Sequence, residues 1–336
     1  MSGQKNIRQL ILVGISGVVL IGGGGLLVQN YLHQQTLKSV VSQDDGAYDE
    51  SEGDTDDLKT VTWQGETYRY NDHLSNFLFL GIDTRETVET ETGNADAGQA
   101  DALYLVSWDR VENQVNLISI PRDTMTPIEV FDKSGNSLGL TENHISLSYG
   151  YGDGRYGSLE LTENAVSDLF YGVPIQGACA MSLDGISELV RSLGDVQVVV
   201  PNDSLEERYP EFKAGETVTI TPDNAEIFLR NRDISISQTA IARMERQQVF
   251  LNAVEELVTV DPSKLTKAYE DLTPYLVSSI SNDWLVKLTD AISKTEQVNR
   301  WTVPGKGVEG DWFDEYHVDN DALYQNVLET FYKKAE

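Results

Sequence analysis

The chain has 336 residues, a formal net charge of −29 at pH 7, 40% hydrophobic residues and 24% charged ones. That is enough apolar material for one large core or two smaller ones. So acidic a chain lacks the broad basic surface that duplex nucleic acid demands, and nucleic acid is excluded as a partner. The single cysteine, Cys179, excludes an intrachain disulfide and a cysteine-built zinc site; in its apolar setting, Ala178 to Met181, it reads as a small buried hydrophobe.

Leu10 to Val28 is charge-free and largely apolar. At ~1.5 Å per residue, such a helix just crosses a hydrocarbon core of roughly 30 Å. Lys5 and Arg8 precede it and the flank after it turns acidic. The positive-inside rule therefore predicts a cytoplasmic N-terminus (1–9), a single transmembrane anchor (10–28) and an extracellular remainder. A cleavable signal peptide, with Gly22 to Gly25 supplying small residues, is the competing reading. Leu26, Leu27 and Val28 carry the apolar run past those glycines and favour an uncleaved anchor. Asp44 to Asp57 is acidic, carries Gly and Ser and has no basic residue, so 29–59 reads as a self-repelling spacer.

One α/β domain is expected over 60–336. Val61 to Trp63 and Thr67 to Tyr70 flank Gln64-Gly65 and predict a hairpin. Phe77 to Leu80, Leu103 to Trp108 and Val115 to Ile120 read as buried strands, the last two turning at Arg110 to Asn113. A helix over Leu159 to Phe170 follows. A strand over Ile175 to Met181, a helix over Gly185 to Leu193 and a strand over Val196 to Val200 predict a right-handed crossover within one sheet. Thr221-Pro222 supplies an N-cap and a first-turn proline for a helix ending near Asn231. Ala240 to Val258 is a long amphipathic helix. Helices over Lys264 to Tyr275 and Asn282 to Ser293, a strand over Val298 to Val303 and a helix over Asp321 to Tyr332 complete the chain.

Arg85, Arg122, Arg230, Arg232 and Arg243 all sit beside apolar runs. Guanidinium forks match phosphate geometry and stay charged when desolvated, so the pattern points to a bound anion. Asp83 and Arg85 lie just past the first core strand, the side on which open α/β sheets bind ligands, although alone they read as an ion pair. Asp101 opens the next strand, and Arg122-Asp123 follows Pro121 at the end of the one after. Arg230 and Arg232 end the Pro222 helix, where cations also complement the macrodipole. Arg243 and Gln247 are four apart on the long helix, and Phe250 and Val254 continue that face toward the core. A core-facing Arg and Gln need partners that an anion would supply. Arg246 is expected to be partly turned away.

Together these residues form an ordered series that resembles the LytR-CpsA-Psr (LCP) family of membrane-anchored cell-wall phosphotransferases. The resemblance covers about Trp63 to Val258. It is carried by Asn76 to Arg85, by Asp101, by Leu117 to Thr124, by Tyr149 to Gly154, by Leu193 to Val196, by Arg230 to Arg232 and by Arg243 to Gln248. It implies a three-layer α/β sandwich, a central mixed β-sheet flanked by helices, with an apolar pocket for a lipid tail, behind one N-terminal transmembrane helix. It implies transfer of a glycopolymer, a teichoic acid or capsular polysaccharide, from a polyprenyl-pyrophosphate carrier to a sugar hydroxyl of peptidoglycan. Carried over position by position, Asp83 and Asp101 would hold Mg²⁺ (or Mn²⁺). Arg85, Arg122, Arg230, Arg232, Arg243 and Gln247 would bind the pyrophosphate. Asp83, Asp101 and Arg122 would be the catalytic group, with either aspartate able to take the acceptor's proton.

Two positions depart from the family pattern. Gln99 stands where an arginine is usual, and the acidic residue often found before the helix arginine is missing from Ser235 to Thr239. The first departure supports an alternative, a polyprenyl-pyrophosphate binding or scaffold protein that holds the carrier without transferring. A transcription regulator, the third reading, conflicts with the outward-facing acidic domain and the lack of a recognisable DNA-reading helix.

Overall fold

The computed structural model describes residues 60–335 apart from 233–238, 262, 311–312 and most of 282–297. The expected anchor and spacer, and most of the Ser235 to Thr239 departure, lie outside the described residues. Among the described residues no helix is long and apolar enough to cross a membrane.

Leu74–Ile82 (β3), Ala100–Asp109 (β4) and Gln114–Ile120 (β5) form an antiparallel meander. Ala178–Met181 (β8) lies parallel to β3, Leu276–Ser278 (β11) antiparallel to β8, and Val298–Thr302 (β12) parallel to β5. The result is a six-stranded mixed sheet in the order β11-β8-β3-β4-β5-β12. Side chains alternate across a strand, so both faces of the β3–β5 meander must be covered. Leu78, Leu80, Leu103, Leu105 and Ile118 pack on one face against helices Tyr156–Leu169 (α2) and Asn320–Phe331 (α7). Phe77, Phe79, Tyr104, Val106 and Leu117 pack on the other with Leu251 of the long helix Thr239–Val260 (α5) and with Trp284, Leu288 and Ala291. Of the helix expected over 282–293, Trp284, Lys287, Leu288 and Ala291 are described, and all four are helical. The expected three-layer arrangement is present.

Smaller units surround this core. Thr60–Trp63 (β1) and Glu66–Tyr70 (β2) form the predicted hairpin, with Gln64 and Gly65 at positive φ (51° and 82°) as a tight two-residue turn requires. The C-terminal helix stops at Phe331, one residue early, because Tyr332–Lys334 (β15) adds a third strand to β2. Met125–Phe131 (β6) and Ser137–His144 (β7) form a hairpin that the sequence reading did not foresee, followed by the short helix Leu147–Gly150 (α1). Gly305–Glu309 (β13) and Asp314–Val318 (β14) form another.

Two expectations need correction. The strand Val196–Val199 (β9), which follows helix Asp184–Leu193 (α3), does not join the main sheet; it pairs antiparallel with Thr217–Ile220 (β10). Only Val196 and Val198 of β9 are buried, while Gln197 and Val199 face solvent, so the strand suits a one-sided ribbon rather than a two-sided sheet. The parallel neighbour of β8 is β3, far back in the chain. The helix expected from Pro222 begins at Ala225 (Ala225–Arg230, α4). Before it the chain turns, and Asn224 Oδ1 accepts the Thr221 N–H at 2.8 Å in place of a threonine cap. Together with Ser263–Leu272 (α6), elements α3, β9, β10, α4 and one face of α5 enclose a second apolar core.

Candidate active site

The site begins with an irregularity in β4. Gly81 pairs with Ala102 but Ile82 pairs with Ala100, so Asp101 is the extra residue of a β-bulge. A bulge re-aims a side chain. Here Asp101 lines the same cavities as Ala102 and Tyr104 instead of alternating away from them. Gly81 allows the two strands to approach there, since a Cβ on it would lie 3.3 Å from the Ala102 Cβ.

Arg122 is delivered by a turn after β5, in which Thr124 Oγ1–H donates to the Pro121 carbonyl at 2.6 Å. Its guanidinium donates to Asp101 Oδ1, to Asp123 Oδ1 at 3.1 Å and to Gln99 Oε1. Arg243 reaches the second carboxylate oxygen, Asp101 Oδ2, at 2.9 Å from α5. Asp101 thus holds two guanidiniums, and its exposure is only 12% against 3% for Arg243. Burial pulls the Arg243 pKa down and the Asp101 carboxylate opposes that, while Arg122 and Arg232 add repulsion. Arg243 Nε–H is buried and finds no hydrogen-bond partner among the described residues. A clamp of this kind is an anion site whose anion is supplied internally by Asp101.

The clamp opens onto apolar space. Asp101, Ala102, Tyr104 and Gln247 line both the small polar cleft at Arg122 and Arg243 and an adjoining cavity of about 130 Å³. That cavity lies between the sheet (Phe79, Cys179), α3 (Ile186, Leu189) and α5 (Phe250, Leu251). Its volume is close to the ~150 Å³ at which an engineered apolar cavity stays dry and admits benzene. Cys179 is buried as expected, and burial pushes its thiol up to about 12, which keeps it unreactive.

The remaining predicted residues are placed less uniformly. Asp83 sits at the end of β3, where Gln99 N–H donates to its Oδ1 at 2.7 Å. Gln247 lines both cavities and donates to the Leu229 carbonyl at 3.1 Å. Arg230 lines the apolar cavity and lies 3.4 Å from Glu226. Arg232 acts on Arg243 and on His144 through its charge. Arg85 stands apart. It is 62% exposed and bidentate to Glu226 at 2.6 and 3.0 Å, with Asp184 at 3.2 Å, and it lines neither cavity.

Arg246 is the main surprise. Expected to turn partly away, it is fully buried. Its Nε–H donates to Phe228 O at 2.7 Å, and its other nitrogens donate to Asn231 O and Ser204 Oγ. With Gln247 it satisfies the carbonyls that the last turn of α4 leaves open, and so fixes the segment bearing Arg230 and Arg232. Burial, reinforced by Arg243, lowers its pKa to about 10. Glu226 and His144 were also missed, since a surface glutamate and a lone histidine carry no pattern. Burial lowers the pKa of His144, which feels Asp123, Arg122, Glu315 and Arg232.

Among the described residues no cluster of three metal-ligating side chains occurs. Of the two carboxylates expected to hold Mg²⁺, Asp101 faces Arg122 and Arg243 with both oxygens, and Asp83 lines neither cavity.

The fold is an α/β sandwich with a buried arginine–aspartate cluster beside an apolar cavity. The chain belongs to the LytR_cpsA_psr family, whose profile matches residues 35–332. It is 28% identical over 193 residues to the polyisoprenyl-teichoic acid–peptidoglycan teichoic acid transferase TagU of Halalkalibacterium halodurans, a match covering 57% of this chain and 56% of that one. It is 25% identical over 334 residues to TagU of Bacillus anthracis, covering 94% of this chain and 93% of the relative. Among solved structures, YwtF (TagT) with bound octaprenyl pyrophosphate lipid shares the fold, with a TM-score of 0.52 at 20% identity over 77% of this chain and 88% of that one.

Proposed function

We propose that this chain transfers a glycopolymer of teichoic acid or capsular type from a polyprenyl-pyrophosphate carrier to peptidoglycan, with Mg²⁺ held between Asp83, Asp101 and the substrate phosphates. The observation that carries the reading is the Arg122–Asp101–Arg243 cluster at the mouth of the apolar cavity. The names of the TagU relatives support it. Leu10 to Val28 would anchor the chain in the membrane with its N-terminus in the cytoplasm, which brings the site to a lipid carrier on the outer face.

In this reading the arginines that Asp101 now balances take the diphosphate oxygens, and the prenyl chain enters between α3 and α5. The acceptor hydroxyl attacks the phosphorus bearing the glycopolymer. The new O–P bond forms as the bridging P–O bond breaks, and the electron pair leaves with prenyl monophosphate. Asp83 or Asp101 takes the acceptor's proton: one Asp83 oxygen already accepts the Gln99 N–H, and Asp101 is released when the arginines turn to the diphosphate. Mg²⁺, when bound, supplies charge neutralisation at the phosphates.

Gln99 favours a second reading, carrier binding without transfer, since it places an amide oxygen on Arg122 where the family usually has a cation. One experiment separates the two. The full chain in detergent is given a polyprenyl-pyrophosphate-linked sugar, Mg²⁺ and peptidoglycan fragments, with Arg122→Ala and a chelator as controls. Label transferred to glycan, and lost in both controls, supports the transferase. Donor bound without transfer or hydrolysis moves the chain to the binding reading.

A further inference from the structure

Tyr104 occupies the junction of the polar cleft and the apolar cavity and lines both. Its side chain is 6% exposed, and its hydroxyl is buried without a hydrogen-bond partner among the described residues. Arg243, which lines the same cleft, has a buried Nε–H that also lacks a partner among the described residues, as does Ser182 Oγ on the apolar cavity. Buried polar groups are nearly always paired, and an orphan in a native structure calls for an explanation. A purely apolar lining residue at this place on the sheet face, between Ala102 and Val106, would be Phe, Leu or Val; a tyrosine adds only the hydroxyl. Burial pushes the phenol well above its usual range, with Arg243 pulling the other way, so at neutral pH the group is an O–H donor. Two orphan donors, a phenol and a guanidinium N–H, thus belong to residues that line the same cleft.

We propose that Tyr104 is a positioning and specificity residue for the carrier, its hydroxyl donating a hydrogen bond to an oxygen of the phosphate directly attached to the prenyl chain. This rests on the proposed function. The place of Tyr104 decides which phosphate it serves. The distal, glycopolymer-bearing phosphate belongs out in the cleft with Arg122, whereas Tyr104 lines both that cleft and the apolar cavity. The carrier-side phosphate becomes prenyl monophosphate when the bridging P–O bond breaks. A donor on it therefore steadies the negative charge that develops on the leaving group, besides marking where lipid ends and head group begins. Tyr104 works alongside the Arg243 Nε–H, and neither of these two donors has a hydrogen bond among the described residues to lose when the ligand arrives.

The test is Tyr104→Phe in the full chain in detergent, titrated with a short prenyl diphosphate, the matching prenyl monophosphate and the matching prenol. The hydroxyl has no partner to lose, so the thermal transition is expected at or above that of the unaltered chain. Removing a hydrogen bond to a charged acceptor is expected to raise Kd for both phosphates roughly tenfold or more and to leave the prenol unchanged. Equal weakening of all three lipids would reveal a packing role and overturn the inference, as would unchanged binding of both phosphates. Weakening confined to the diphosphate would put the hydroxyl on the distal phosphate and overturn the assignment. An unaltered chain that binds neither phosphate better than the prenol would overturn the proposed function and this inference with it. An unaltered chain that prefers the phosphates beside an indifferent Tyr104→Phe would remove only the role of Tyr104.

Discussion

Asp101→Asn isolates what the bulged carboxylate does before any substrate binds. Asp101 is the counter-charge of Arg122 and Arg243, and all three side chains are 12% exposed or less. Asparagine keeps the shape, strips Arg243 of its carboxylate partner and leaves Arg122 with Asp123 alone. Breaking one side of a buried pair costs about 3–5 kcal/mol, and the residual exposure of Asp101 and Arg122 favours the lower end, ~3 kcal/mol. Equilibrium urea unfolding of the full chain in detergent, read by the fluorescence of its five tryptophans, measures that loss. The same experiment with inorganic pyrophosphate, and no metal, adds a second observable. In the unaltered chain the anion must displace Asp101 from the arginines; in the variant it has no competitor. Pyrophosphate is therefore expected to bind the variant roughly tenfold or more tightly. At about a hundred times Kd it would restore ~2.7 kcal/mol, most of what was lost. Transfer should vanish even so. A variant within about 0.5 kcal/mol of the unaltered chain and indifferent to pyrophosphate would refute the view of Asp101 as the internal anion of the clamp.

Three further outcomes follow from the structure. Arg246→Met strands the carbonyls of Phe228 and Asn231, so a loss of roughly 2–4 kcal/mol in urea unfolding is expected, with weaker prenyl diphosphate binding although Arg246 lines neither cavity. Gly98→Ala places a Cβ 2.9 Å from Asp83 Oδ1 and 2.6 Å from Thr84 Cγ2, at a φ of +88°. Destabilisation of about 1–3 kcal/mol is expected, with transfer falling more than lipid binding in parallel assays, because Asp83 is displaced. Glu163 on α2 is held up to about 7 by burial, from its usual 4.5, despite its 3.1 Å bond with Ser279 Oγ. The folded state thus penalises the charged form, so the contribution of Glu163 to stability is greatest below about pH 4.5, falls as the pH rises toward 7 and is flat above. Glu163→Gln is expected to flatten that profile and to add ~1 kcal/mol at pH 8, after discounting for partial exposure, in urea unfolding at a series of pH values.

Local chemistry explains how much could be read from the chain alone. Phe77 to Leu80 alternates between two buried faces, so its apolar run marks a central strand without knowledge of its neighbours. Val196 to Val200 is equally apolar, yet β9 is a peripheral ribbon, because hydropathy cannot tell whether the second face meets protein or solvent. The Arg243, Gln247, Phe250 and Val254 face was legible from the 3.6-residue period. Arg246 was not, since a helix side counts as core or surface only once something packs against it, and here the end of α4 does. Arg85 shows the opposite case. Its motif suggested the clamp, but Glu226 and Asp184 occupy it at the rim.

The sequence by itself determined the central strands β3, β4 and β5, the long helix, the acidic character and the residues able to grip an anion, because period, turn chemistry and side-chain type are local properties. Only the tertiary structure decided which of those residues meet. The bulge at Asp101, its two guanidinium partners from the end of β5 and from α5, the Arg246 tie to α4 and the placement of Tyr104 between cleft and cavity all depend on contacts between distant segments. Such contacts are fixed by packing and register, which no short window of residues encodes.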